Sequence, residues 1–150
     1  MLRDIFNFRQ LSPQLATSGQ PSEEELVAVA QSGCKTVLNI ALHDDPRYSL
    51  PDERRTVEAL GMKYVHIPVQ FAAPTDEDFK RFVQAMEENK GQVMLVHCAA
   101  NKRVSVFLGL YWHLHQGKPV AESFELLHDI WEPDEVWSKF IARKLAASDA

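Results

Sequence analysis

The sequence predicts one α/β domain of three layers, a mostly parallel central sheet flanked by helices. Three observations lead there. Helical and strand patterns alternate along the chain, residues 92–97 (QVMLVH) are apolar enough to be covered on both faces, and residues 104–115 (VSVFLGLYWHLH) are apolar nearly all round. At 150 residues the chain can bury one core but not two comfortable ones, so a single domain over 1–150 with one site is expected.

Each element has its own signal. Ser22 and Glu25 stand at capping-box spacing after Pro21, Leu26, Val29 and Ala30 supply an apolar stripe, and Gly33 is a stop before the β-branched run 35–40 (KTVLNI). A second helix runs from Pro51 to the stop at Gly61 and leads into a strand over 63–69 (KYVHIPV). Thr75 and Asp78 open a third helix whose Phe79, Phe82, Val83 and Met86 share one face, ending near Gly91. Beyond Gly117 and Pro119, residues 120–145 predict one or two helices broken at Pro133, with the tryptophans of this tail and Tyr111 and Trp112 as packing residues. No linker, repeat or low-complexity stretch interrupts the chain.

Composition narrows the function classes. Apolar residues are 45% and charged residues 25%, ordinary for a globular protein, and the net charge of −5 offers no field for a polyanion, so neither nucleic acid nor a membrane surface is an expected partner. The two cysteines, Cys34 and Cys98, form neither a CxxC pair nor a disulfide framework, which fits a reducing compartment. The first residues carry no signal-peptide stretch and no run approaches a membrane span, so a cytoplasmic location is expected. His113 and His115 fall on different helix faces and no metal-ligand spacing occurs, so no metal is expected.

The segment that carries chemistry is Val96-His97-Cys98-Ala99-Ala100-Asn101-Lys102-Arg103-Val104-Ser105, a buried strand entering a small polar loop and then a buried helix. The first amides of a helix lack internal acceptors and its dipole favours negative charge, so the backbone of Ala99, Ala100, Asn101, Lys102, Arg103 and Val104 forms a candidate anion cradle. The same field favours the thiolate of Cys98, the nucleophilic form. Arg103 is placed to bind two phosphate oxygens, and a cation at a helix start, against the dipole, needs such an anion. Ser105 is a candidate donor to the thiolate, and His97 a candidate for orienting the loop. Cys34 has no comparable setting and reads as core.

These residues resemble the protein tyrosine and dual-specificity phosphatase superfamily, whose loop reads His-Cys, five residues, Arg, then Ser or Thr. Ser105 falls on the hydroxyl position, Val104 on the arginine position with Arg103 one residue early, and Asn101 on the loop glycine. One residue is about 100° of helix rotation, so the early arginine requires a loop one residue tighter. Ser18-Gly19-Gln20-Pro21 together with the His-Cys-x-x-Asn-x-Arg loop is similar to a small bacterial phosphatase-like group, a likeness spanning nearly the whole chain. The resemblance implies the cysteine-dependent phosphatase fold and a hydrolase in which Cys98 forms a cysteinyl-phosphate, with Cys98, Arg103 and Ser105 catalytic, no cofactor, and a phosphorylated small molecule or phosphoprotein as substrate. It also places Gln70 at the general-acid position. Glutamine cannot protonate a leaving group, so Asp76 and Asp78 are the candidate acids, although both read equally as helix-start residues. Trp131-Glu132-Pro133-Asp134 matches the tyrosine-phosphatase acid loop only in letters.

Two alternatives stand beside the hydrolase: a non-catalytic phosphate-binding pseudophosphatase module, favoured by Gln70 and the early arginine, and a rhodanese-like sulfurtransferase. Pocket depth is expected to depend on residues 41–51, with Asp44 and Asp45.

Overall fold

A computed structural model describes residues 2–43 and 49–148, and Asp44 and Asp45 lie outside the described residues. After a 3-10 turn over Leu2–Asp4, the chain forms strands β1 (Arg9–Ser12) and β2 (Leu15–Ser18), helix α1 (Glu23–Gln31), β3 (Thr36–Asn39), α2 (Glu53–Ala59) and β4 (Lys63–His66). Helix α3 (Asp76–Glu88), strand β5 (Met94–His97) and helices α4 (Lys102–Gln116), α5 (Val120–Ser123), α6 (Glu125–Ile130) and α7 (Glu135–Ser148) follow.

The five strands are ordered β1-β2-β5-β3-β4, parallel except for the β1–β2 hairpin. Strand β5 therefore lies between two parallel neighbours, and all four of its residues are buried. Successive strand residues serve opposite faces. Val37 and Leu95 pack with Ile5, Leu26, Val29 and Val57 on one side, while Leu38 and Val96 pack with Phe79, Phe82, Phe107, Leu126 and Trp137 on the other. The sheet is thus the middle of three layers, with α1 and α2 below and α3 to α7 above.

Helix α4 is central to the upper layer, with residues 103–111 buried without interruption. Phe107 is its aromatic hub: the rings of Phe79 and Phe82 lie 5.4 Å away edge-on, and those of Trp137 and Phe140 lie at 5.9 Å. Both expected capping boxes form, Ser22 with Glu25 and Thr75 with Asp78.

The structure differs from the sequence reading in three places. Strand β4 stops at His66 instead of continuing to residue 69, because its partner β3 ends at Asn39; beyond it the Ile67 and Val69 amides still donate to the successive Asn39 and Ile40 carbonyls at 2.9 and 3.2 Å, out of regular ladder spacing. The hairpin β1–β2 has no apolar run to announce it, because the buried residues of β2 are the small Ala16, Thr17 and Ser18. The tail makes three helical segments where one or two were expected, with an extra break at Phe124.

Gly109 is where α4 meets that break. A Cβ there would lie 2.5 Å from the Phe124 ring and 3.2 Å from the Ser123 carbonyl. Replacing a mid-helix glycine by alanine ordinarily gains about 1 kcal/mol, but overpacking a core costs about 1–3 kcal/mol. Gly109→Ala is therefore expected to lower stability by up to about 2 kcal/mol, read as a lower urea midpoint at unchanged slope.

Candidate active site

Strand β5 delivers His97 and Cys98 to the carboxyl edge of the sheet between its two neighbours, the position where parallel sheets hold ligands. The chain turns at Asn101, whose left-handed backbone (φ 66°, ψ 3°) asparagine tolerates better than most residues, and α4 begins at Lys102. The first hydrogen bond into the helix runs from the Ser105 amide to the Asn101 carbonyl at 3.0 Å, so the amides of residues 102–104 have no acceptor within it. The Asn101 side chain does not cap them. It donates instead to the Asn7 carbonyl and the Thr17 hydroxyl, both at 2.9 Å, while its own buried Oδ1 has no partner among the described residues.

A cavity of about 370 Å³ opens at this turn, lined by Cys98, Ala99, Ala100, Lys102 and Arg103 from the loop and by Phe6, Asn7 and Phe71 from elsewhere. Cys98 forms its floor. The residue belongs to the upper core and has no exposed surface of its own, so it borders the cavity without being open to water. Arg103 is 7% exposed, donates from Nη1 to the Val69 carbonyl at 2.6 Å and holds its guanidinium 5.7 Å from the Phe71 ring. The early arginine is thus the one that reaches the cavity. Val104, one rotation further, packs fully buried in the core and has only its amide to offer a ligand. Lys102 lies 5.3 Å from the Trp131 ring.

Other expected roles are occupied elsewhere. The Ser105 hydroxyl donates its one proton to the Lys102 carbonyl at 2.6 Å and accepts from Trp131 Nε1 at 3.0 Å, which leaves none for the Cys98 sulfur in this arrangement. Asp76 is bound by Arg143 at 2.8 and 3.0 Å, and that hydrogen bond holds its carboxyl below the usual range, so it has no proton to give. Asp78 is spent in the Thr75 capping box. Neither lines the cavity. Asp134 of the Trp-Glu-Pro-Asp string accepts from the Trp137 amide at 3.0 Å, a helix-start role for α7. Cys34 is buried in the lower core, where burial pushes its thiol up.

The loop is held from behind by His97, the residue expected to orient it, and by Glu53, which the sequence reading passed over. His97 and Glu53 are both fully buried and meet at 2.6 Å between Nε2 and Oε2, while His97 Nδ1 lies 3.2 Å from the Cys98 carbonyl. The ring is thereby tied to the carboxylate on one side and to the loop backbone on the other. Gln20 completes the carboxylate with a 2.6 Å bond to Oε1. Glu53 is the acid in the first turn of α2, and only its burial sets it apart from a solvated one. Gly19, next to Gln20, is a close-approach glycine: a Cβ there would stand 2.6 Å from the Ala99 carbonyl and 2.8 Å from the Phe6 ring.

The Glu53–His97 pair carries a pH dependence. Burial alone raises the Glu53 carboxyl, but the charge and hydrogen bond of His97, the Gln20 bond and the charge of His43 outweigh it and hold the group below its ordinary 4.5. A carboxyl depressed in the folded protein stabilises it above the unfolded value and loses that contribution as pH falls through the folded one. Removing one member of a buried pair costs about 3–5 kcal/mol. Glu53→Gln is therefore expected to unfold at a much lower urea concentration than wild type at pH 7, with the two midpoints converging below about pH 4.5. A gap that stays constant over that range contradicts the pairing.

A family described as DSP-PTPase phosphatase fused to NAD+ kinase matches residues 7–128 of the chain. Among solved structures, a candidate phosphatase (DUF442) from Shewanella putrefaciens CN-32 aligns with a TM-score of 0.85 at 34% identity, covering 98% of this chain and 96% of that one. TpbA of P. aeruginosa, solved in complex with phosphotyrosine, shares the fold with a TM-score of 0.71 at 16% identity, covering 97% of this chain and 92% of that one. The beta-lactamase hydrolase-like protein of Xylella fastidiosa (strain Temecula1) is 28% identical over 102 residues, 67% of this chain. Those residues are 23% of that protein, so the chain spans about a quarter of the length of the curated relatives it matches. With a family match over most of its residues and the sheet order, strand-loop-helix turn and cysteine-floored cavity described above, the chain belongs to the DSP-PTPase phosphatase family.

Proposed function

We propose that the protein is a cysteine-dependent hydrolase of phosphate monoesters. One observation carries the reading: Cys98 and Arg103 line the same cavity at the start of α4, where amides of residues 102–104 have no helical acceptor. The Cys98 thiolate attacks phosphorus, an S–P bond forms, and the P–O bond to the leaving group breaks with its electrons going to the leaving oxygen. Water then attacks phosphorus, the S–P bond breaks, the thiolate returns, and inorganic phosphate departs with the water's second proton lost to solvent. Arg103 and the loop amides bind the phosphoryl oxygens as charge builds on them. His97, locked by Glu53 and Gln20, keeps the Cys98 carbonyl and hence the loop in place.

The leaving oxygen needs a proton in proportion to its basicity. No carboxylic acid lines the cavity among the described residues, and Gln70 stands at the acid position. General acid catalysis supplies about 10²- to 10⁴-fold, so alkyl phosphates are expected to turn over slower than aryl phosphates by a factor of that order. The same observation favours a second reading, a phosphate-binding module without turnover.

Assays of an aryl and an alkyl phosphate, run beside tungstate binding, separate the two. The hydrolase reading expects aryl phosphate turnover that vanishes in Cys98→Ser and drops about 10²- to 10³-fold in kcat for Arg103→Lys, with tungstate bound throughout. Tungstate binding by a wild type that turns over neither ester establishes the module instead.

A further inference from the structure

We propose that Asn7, carried by the turn between the 3-10 segment and β1, is a positioning residue of this site: its side-chain amide and that of Asn101 clasp each other's backbone and keep the start of α4 open to a tetrahedral oxyanion. The inference rests on the anion-binding reading of the Cys98 cavity and goes beyond it in giving the N-terminal turn a part in binding.

Both ends of the clasp use the same residue type in the same uncommon backbone. Asn7 (φ 52°) and Asn101 (φ 66°) are left-handed, and among the described residues Asp52 is the one other non-glycine residue with positive φ. Asn7 lines the cavity, and Asn101 stands at the entry to α4 beside it. A left-handed backbone is unfavourable for a residue with a Cβ and persists where its surroundings hold it. Here each asparagine holds the other. Asn7 Nδ2 donates to the Ala100 carbonyl at 3.0 Å, and Asn101 Nδ2 donates to the Asn7 carbonyl at 2.9 Å. Thr17, fully buried on β2, gives Asn101 Nδ2 a second acceptor at 2.9 Å. The flanking backbone is pinned as well, the Gly19 amide to the Phe6 carbonyl at 2.7 Å and the Gln20 amide to the Ala99 carbonyl at 3.0 Å.

Two consequences bear on an anion. Ala100 lines the cavity, and an uncovered carbonyl so close would repel a bound anion, whereas the Asn7 amide covers this one. The other consequence concerns capping. Asparagine is among the best helix N-caps because its Oδ1 accepts from the first amides, and an Asn101 side chain in that role would occupy the donors an anion needs. The clasp turns it away. Its Nδ2 is tied to Asn7 and Thr17, and its buried Oδ1 has no partner among the described residues. A buried acceptor left unpaired is unfavourable, yet the same arrangement leaves the amides of residues 102–104 without a side-chain cap from Asn101 and without an acceptor in the helix.

Glycine tests the side chains alone, since it adopts positive φ without strain. Tungstate dissociation constants at pH 7 are measured for wild type, Asn7→Gly, Asn101→Gly and the double variant, with urea midpoints beside them. Affinity is read where every variant is folded, so a loss of stability by itself leaves it unmoved. Each single substitution is expected to weaken tungstate about 2- to 13-fold, the range of one net hydrogen bond, and the double variant to weaken it no more than the stronger single, because either loss opens the same clasp. Unchanged affinity in Asn7→Gly at a lower urea midpoint assigns Asn7 a purely structural role and overturns the inference, as do losses that add in the double variant. If Asn7→Gly does not fold, Thr17→Val, which takes one acceptor from Asn101 and leaves the turn whole, carries the same expectation and the same overturning result. Turnover of an aryl phosphate is scored separately. Weakened tungstate binding in variants of a protein that turns over nothing leaves the clasp standing and removes the hydrolase, whereas turnover with tungstate affinity unchanged across the variants does the reverse. A wild type that neither binds tungstate nor turns over the ester overturns both.

Discussion

The site depends on one constraint, the pairing of β5 with parallel neighbours on both edges. A strand in that position can make no lateral move, so the residues that leave its carboxyl end emerge at a fixed point in the middle of the sheet. Because the following helix must cover the upper face, its amino end is brought to the same point. Cys98 and the first amides of α4 meet there for a topological reason that owes nothing to their chemistry.

That turn is then fastened from three directions by groups that are not ligands themselves. Gln20 donates its backbone amide to the Ala99 carbonyl at 3.0 Å, Asn7 holds the Ala100 carbonyl, and His97 reaches the Cys98 carbonyl. With three successive carbonyls engaged outward, the polarity left to face the cavity is that of donors, which is what an anion site needs. The buried charge of Glu53 belongs to this scaffold. It orients His97 from α2, and it can remain ionised at full burial only because His97 and Gln20 satisfy it.

The shift of the arginine by one position illustrates how a local change is absorbed. Arg103 is the second residue of α4, and from there its guanidinium reaches the cavity and is steadied by the Val69 carbonyl and the Phe71 ring. Val104 fills the core position that rotation assigns to it. The Ser105 hydroxyl, engaged by Trp131 and the helix backbone, links the start of α4 to the α6–α7 connection, so the tail that read as plain packing also borders the site.

Periodicity, caps and punctuation were enough to reveal α1, α3, β3, β5 and α4, because those elements are decided by neighbours in the chain: a stripe every third or fourth residue, a serine or threonine three residues before an acid, a β-branched run. The turn from β5 into α4 was legible for the same reason, its cysteine, small residues and helix start being contiguous. Hairpin β1–β2 was not, since Thr17 and Ser18 look like loop residues until β5 lies beside them. Neither Glu53 nor Phe6 stood out, because burial against His97 and a place beside Cys98 arise from residues tens of positions away. By itself the sequence determined the fold class and the contiguous strand-loop-helix segment that begins at Cys98. Which side chains reach that point was left to tertiary structure, because a one-residue rotation at Arg103, a carboxylate buried across the molecule and a ring carried in by a distant turn depend on contacts that the linear order does not encode.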